Sequence, residues 1–129
     1  MSHLLDTDFV ASFLKGIPRV VEFVRPMLFE PAAISIVTFA EIYEGIRYGR
    51  EPEKHESDFA EFLIPVQIVG LDERVAVRYA ALRGELRRQG NLIPDNDLFI
   101  AATALEHDLT LVTGNRRHFD RVPGLRLLV

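Results

Sequence analysis

With 129 residues, 48% of them hydrophobic and 26% charged, the chain is expected to form one packed domain and lies far from the disordered regime. A net charge of −4 speaks against indiscriminate adhesion to nucleic acid, and no apolar run approaches the roughly 20 residues of a membrane-spanning helix. Absence of cysteine excludes disulfides, thiolate metal sites and a cysteine nucleophile, and the N-terminus lacks the pattern of a signal peptide, so a cytoplasmic location is the expectation.

The apolar start His3-Leu4-Leu5 reads as a buried first strand that delivers Asp6 at its C-terminal end. Thr7 or Asp8 then caps a helix whose Phe9, Val10, Phe13 and Leu14 share a face; Gly16 closes it and Pro18 opens another toward Leu28. After Pro31, the run AAISIV reads as a second strand, followed by a helix over VTFAEIYEGIRYG that ends at Gly49 in the C′ position. Pro52 starts a further helix through Ile64, with an acidic first turn that suits the helix dipole. Val66 to Leu71 is a third strand, and Asp72 caps a long helix that Gly90-Asn91 terminates. Next comes a nearly all-apolar helix, LFIAATAL, the strand LTLV, and a final strand over Leu125–Val129. Short apolar strands alternating with helices, with no hairpin signal, predict a parallel sheet covered by helices on both faces.

The chemistry is concentrated in carboxylates. Asp6 stands where open α/β sheets place their sites, although Asp is also an ordinary N-cap. Glu41 matches a capping box with Thr38, but Ser35 is an equally good cap and would leave Glu41 near the second turn. Asp95 and Asp97 precede the buried helix; Asp95 is the better placed as its cap, which leaves Asp97 at its mouth. Asn115 ends TLVTGN as a turn residue, Asp108 is a turn or cap, and Asp120 reads as a surface acid. Carboxylates converging on one edge repel unless a cation sits among them, and hard oxygen donors suit Mg²⁺ or Mn²⁺ better than zinc. His3, His55, His107 and His118 show no ligand spacing and read as surface or turn residues. Only two of the fifteen basic residues are lysine; the arginines cluster at Arg47/Arg50, Arg83/Arg87/Arg88 and Arg116/Arg117/Arg121.

The segments LLDTD, SIVTFAEIYEGI, DNDLFIAATALEHDLTLVTGN and FDRVPGLRLL, in that order over Leu4–Leu128, resemble the PIN-domain ribonucleases, and most of all the VapC-type toxins of toxin–antitoxin pairs. The resemblance implies a three-layer α/β sandwich, one or two bound Mg²⁺ or Mn²⁺ ions, endonucleolytic cleavage of RNA, a VapB-like antitoxin partner and a homodimer. It places the family acids on Asp6, Glu41 and Asp97 as metal ligands. The fourth position falls on Asn115, where many PIN domains carry aspartate. Thr113, Asp8 and Asp95 stand as supporting residues, and Arg87, Arg88, Arg116 and Arg117 as phosphate contacts. Two other readings compete: a PIN scaffold that only binds RNA or a protein, and a haloacid-dehalogenase-like phosphatase with Asp6 as nucleophile. The second needs a lysine late in the chain, and none follows Lys54. Phe59, Phe62 and Leu63 could serve a dimer interface, with packing into the domain's own core as the preferred reading.

Overall fold

A computed structural model describes residues 2–128. Five parallel strands form one sheet in the order β3-β2-β1-β4-β5, with β1 His3–Leu5, β2 Ala32–Ser35, β3 Val66–Val69, β4 Thr110–Val112 and β5 Leu127–Leu128. The helices are α1 Thr7–Leu14, α2 Pro18–Val24, α3 Ile36–Arg47, α4 Pro52–Leu63, α5 Glu73–Arg88, α6 Asp95–Glu106 and α7 Arg116–Phe119. Pro26 ends α2, and the chain continues as a 3₁₀ turn over Arg25–Phe29.

Successive strand residues face opposite layers, and that alternation divides the core in two. Leu4, Ala33 and Leu111 pack against α5, α6 and α7, with Leu86, Leu98, Ile100 and Phe119 fully buried. Leu5, Ile34 and Val112 pack against α1 to α4, where Phe59 and Phe62 are buried. Both phenylalanines therefore belong to the domain's own core. The three layers match the expected architecture.

The first strand spans His3–Leu5 as expected, and the others are shorter than the apolar runs that announced them; Val129, the end of the expected last strand, lies outside the described residues. Ser35 caps α3 by accepting from the Val37 amide, so Ile36 and Val37 turn helical and the second strand stops at Ser35. Gly49 does follow the end of α3, for a steric reason: a Cβ there would stand 2.6 Å from the Gly45 carbonyl oxygen. Gly90, after α5, adopts the left-handed conformation (φ 72°) that glycine reaches without strain. Asp72 caps α5 through the Val75 amide. Asp95 is not the cap expected for α6. Pro94 occupies the cap position with no side-chain bond, and Asp95 is the first helical residue, bonded to Tyr79 and Arg83 on α5. A fixed φ at Pro94 makes a side-chain cap dispensable there, and the acids of the first turn face the dipole's positive end.

This order of strands places the site. The chain builds β1, β2 and β3 outward in one direction, then crosses to lay β4 and β5 on the other side of β1. The carboxyl ends of β1 and β4 therefore flank the reversal point, where open α/β sheets form their crevice. Asp6 leaves β1 at that point and Thr113 leaves β4; the Asp6 amide donates to the Val112 carbonyl oxygen at 2.9 Å.

Candidate active site

Asp6 holds the N-cap position of α1, which corrects the expectation that Thr7 or Asp8 would cap. Capping leaves it capacity for more. Its Oδ1 accepts from the Thr7 amide at 2.8 Å and its Oδ2 from the Thr113 hydroxyl at 2.7 Å, and the residue is only 4% exposed. No cationic side chain is bonded to it among the described residues. Burial raises its carboxyl from the ordinary 3.8 to about 7; a hydrogen bond with Asp8 and that neighbour's charge push the same way, against the Thr113 and Thr7 donors.

Glu41 lies in the second turn of α3 because Ser35, not Thr38, is the cap. Thr38 is buried instead, with its hydroxyl 3.0 Å from that of Thr7. The Thr7 hydroxyl donates to Glu41 Oε1 at 2.7 Å, and Asn96 Nδ2 donates to Glu41 Oε2 at 3.3 Å. The segment that carries Asp97 thus reaches Glu41 through the residue before it.

Asp97 meets His118, a residue expected only at the surface or in a turn. His118 Nδ1 stands 2.7 Å from Asp97 Oδ2 and 2.8 Å from Asn115 Nδ2. With its proton on Nδ1 the ring donates to the carboxylate; with it on Nε2 the ring accepts from the amide. The imidazole is shared between partners of opposite demand. Asn115 is tied back in turn, its own amide donating to the Thr113 hydroxyl oxygen at 2.9 Å.

These contacts run in one line: Asp97, His118, Asn115, Thr113, Asp6, Thr7, Glu41 and Asn96, the last adjacent in sequence to the first. A nearly closed ring of polar groups surrounds the carboxyl ends of β1 and β4. Asp6, Glu41, Asp97, Asn115 and Thr113 all belong to it, and Asp8 adjoins it through Asp6. Asp95 does not; its carboxylate serves Tyr79 and Arg83, and Tyr79 stacks on Phe99 with ring centroids 3.9 Å apart.

The ring's donors are chiefly oxygens, the chemistry that suits Mg²⁺ or Mn²⁺. Asp6 fits a cation on its own evidence, being a buried carboxyl beside a second acid, with no positive side chain paired to either among the described residues. The set is not drawn tight. Among the described residues no three acidic or histidine side chains stand together as a preassembled ligand cluster, since Glu41 is held by Thr7 and Asn96 and Asp97 by His118.

Of the expected phosphate contacts, Arg116 lies 3.7 Å from Asp120, and Arg117 is exposed beside Asn115 with no ion-pair partner among the described residues. Arg88 pairs with Glu85, and Arg87 is exposed at the end of α5. The arginine that reaches the acidic segment is Arg83, 3.3 Å from Asp95. Sequence reading missed Thr7, Asn96 and His118 as members of the ring. His118 was findable: had RRHF been taken as a helical turn, His118 would fall at i+3 from Asn115, on the same face.

The PIN domain family model matches residues 3–125. Ribonuclease VapC2 of Haemophilus influenzae is 32% identical over 126 residues, covering 98% of this chain and 96% of that protein. The tRNA(fMet)-specific endonuclease VapC of Salmonella typhimurium is 27% identical over 98% of this chain and 96% of its own. Among solved structures, VapBC2 from Rickettsia felis bound to a promoter DNA fragment superposes with a TM-score of 0.91 at 29% identity, covering 99% of this chain and 98% of that one. DNA-bound VapBC from Salmonella typhimurium gives a TM-score of 0.91 at 27% identity, covering 99% and 97%. The chain belongs to the PIN-domain family, among its VapC ribonucleases.

Proposed function

We propose that this chain is a divalent-metal-dependent endoribonuclease and the toxin of a toxin–antitoxin pair. The observation that carries the reading is the buried Asp6 carboxyl, joined by one hydrogen-bonded line to Glu41 and Asp97 at the reversal point of the sheet. Asp6, Glu41 and Asp97 would hold Mg²⁺ or Mn²⁺. Such an ion, when bound, supplies positive charge that acidifies water and offsets the charge developing on a phosphate.

The chain's own residues prepare that chemistry. Thr7 and Thr113 fix both oxygens of Asp6, so its direction is set before any ligand arrives. Thr7 also orients Glu41, and His118 orients Asp97. Asn115 presents a neutral amide where a fourth acid would add charge; it can orient water or a phosphate oxygen without adding to the repulsion. Arg116 and Arg117, beside it, offset the repulsion between RNA and an acidic edge.

The two solved relatives described above are VapBC assemblies, and a VapB-like antitoxin is the partner proposed for this chain, with RNA as substrate. A binding-only scaffold is the second reading, favoured by the neutral Asn115 and the open spacing of the acids. The family match removes the phosphatase reading. Incubation of the purified protein with tRNA, rRNA and mRNA in Mn²⁺ or in EDTA decides between the other two. Discrete divalent-dependent fragments are expected; intact RNA under every condition would leave only the scaffold.

A further inference from the structure

Beside the ring lies a cleft that the catalytic chemistry does not use. It is walled by Asp8, Phe9 and Ser12 of α1, Arg19 and Phe23 of α2, and Gly114 of the turn after β4, and it encloses about 400 Å³. That volume falls within the range of small-ligand pockets. It is continuous with the site at two points. The Asp8 carboxyl touches that of Asp6, and Gly114 lies between Thr113 and Asn115 in the chain. The backbone of Gly114 runs close against α1, since a Cβ there would stand 3.6 Å from both Asp8 Oδ2 and the Phe9 ring.

The lining has a mixed character. Phe9 and Phe23 form a tilted aromatic pair, centroids 5.9 Å apart, that gives an apolar wall. Arg19 also lines the cleft, is exposed, and has no ion-pair partner among the described residues. Asp8 supplies an acceptor, its Oδ2 lying beside Gly114. Aromatic carbon for a flat face, plus a guanidinium donor and a carboxylate acceptor for a polar edge, is the chemistry that recognises an unstacked nucleobase. A bare phosphate is disfavoured, because Asp8 would repel it.

We propose that this cleft is a base-binding subsite for the nucleotide adjoining the scissile phosphate, and that it sets which RNA sequences are cut. The proposal rests on the ribonuclease reading and extends it. The base enters between Phe9/Phe23 and Gly114, with its edge between Arg19 and Asp8 and its phosphate toward Asp6. Selectivity then comes from α1, α2 and the β4 turn, while the acids of the ring stay indifferent to sequence.

The test pairs short oligoribonucleotides with matched versions carrying an abasic residue on either side of the cleaved bond. Wild-type protein is compared with Arg19→Ala, Phe23→Ala and Ser12→Trp, the last filling the cleft from α1. Anisotropy in EDTA reads binding, and kcat/KM in Mn²⁺ reads cleavage. On wild type, one abasic position is expected to weaken binding and lower kcat/KM on the order of tenfold, chiefly through KM. The folded variants should lose the same factor on the intact oligonucleotide and no longer respond to that abasic residue. Arg19 is a surface residue, so its variant keeps the test open if Phe23→Ala unfolds. Variants that keep the wild-type ratio between intact and abasic RNA overturn the proposal, as does weakened capture of a protein partner with RNA binding unchanged. A wild type that binds the intact RNA better than the abasic one yet cuts neither would sink the ribonuclease reading and spare the subsite.

Discussion

The two ends of the polar ring are built differently. The Asp6 end is rigid: a buried carboxyl on the central strand, with both oxygens taken by Thr7 and Thr113 and the surrounding side chains closed over it. The Asp97 end lies in the first turn of α6, its side chain 21% exposed, and its partner His118 sits on the four-residue helix α7. One end stores an electrostatic cost in a fixed place; the other holds its acid by a single shared imidazole. A cation binding between them would find the first end ready and would have to reorganise the second.

Predictions from this contrast begin with Asp6→Asn. Removing the buried charge is expected to lower RNA cleavage by about 10³-fold, as loss of several kcal/mol of metal-ion stabilisation implies. Stability should move the other way, with a sign set by pH. A folded-state pKa raised from 3.8 to about 7 favours the native state below the unfolded value, and that contribution is lost as pH rises through about 7. At pH 8 the ionised carboxyl then opposes folding by on the order of 4 kcal/mol, and Asp6→Asn should recover part of that while gaining nothing at pH 3. Denaturant melts of both proteins at the two pH values check the sign; equal differences at both would refute the buried-charge argument.

Cation-linked stability is the next largest effect. Because Asp6 must give up its proton to bind a metal, Mn²⁺ at a fixed concentration should raise the melting temperature more at pH 8 than at pH 6. A shift that is flat in pH would place the ion elsewhere.

At the looser end, His118→Ala should reduce kcat about 10- to 100-fold with KM and folding little changed, the usual scale for losing a residue that orients a ligand. His118→Asn, which keeps a side-chain donor, should restore part of the rate. Full activity in His118→Ala would show that Asp97 needs no such support. The smallest effect belongs to Asp95, two residues away. Its pairing with Arg83 is an exposed one, so Asp95→Asn should cost no more than about 1 kcal/mol and leave cleavage intact, in contrast to Asp97→Asn.

The same contrast marks where the sequence could be read. Asp6 follows the apolar run His3–Leu5, and Glu41 lies in the second turn of the helix that leaves the strand Ala32–Ser35, so both are placed by local signals. The sheet and its two apolar layers follow from alternating strands and helices for the same reason. What escaped was decided by distant parts of the chain meeting. Thr7 reaches Glu41 across 34 residues, Asn96 reaches Glu41 across 55, and His118 reaches Asp97 across 21. No periodicity encodes such meetings. Asp95 shows the opposite error, a good local cap signal overruled because Tyr79 and Arg83 of α5 claim its carboxylate.

The most direct test is calorimetric titration of Mn²⁺ into the wild-type protein, Asp6→Asn and Asp97→Asn at pH 8. One set of sites in the wild type, with affinity lost at least tenfold in each variant, is the expected result. Undiminished binding in either variant would contradict a metal held jointly by the two ends of the ring.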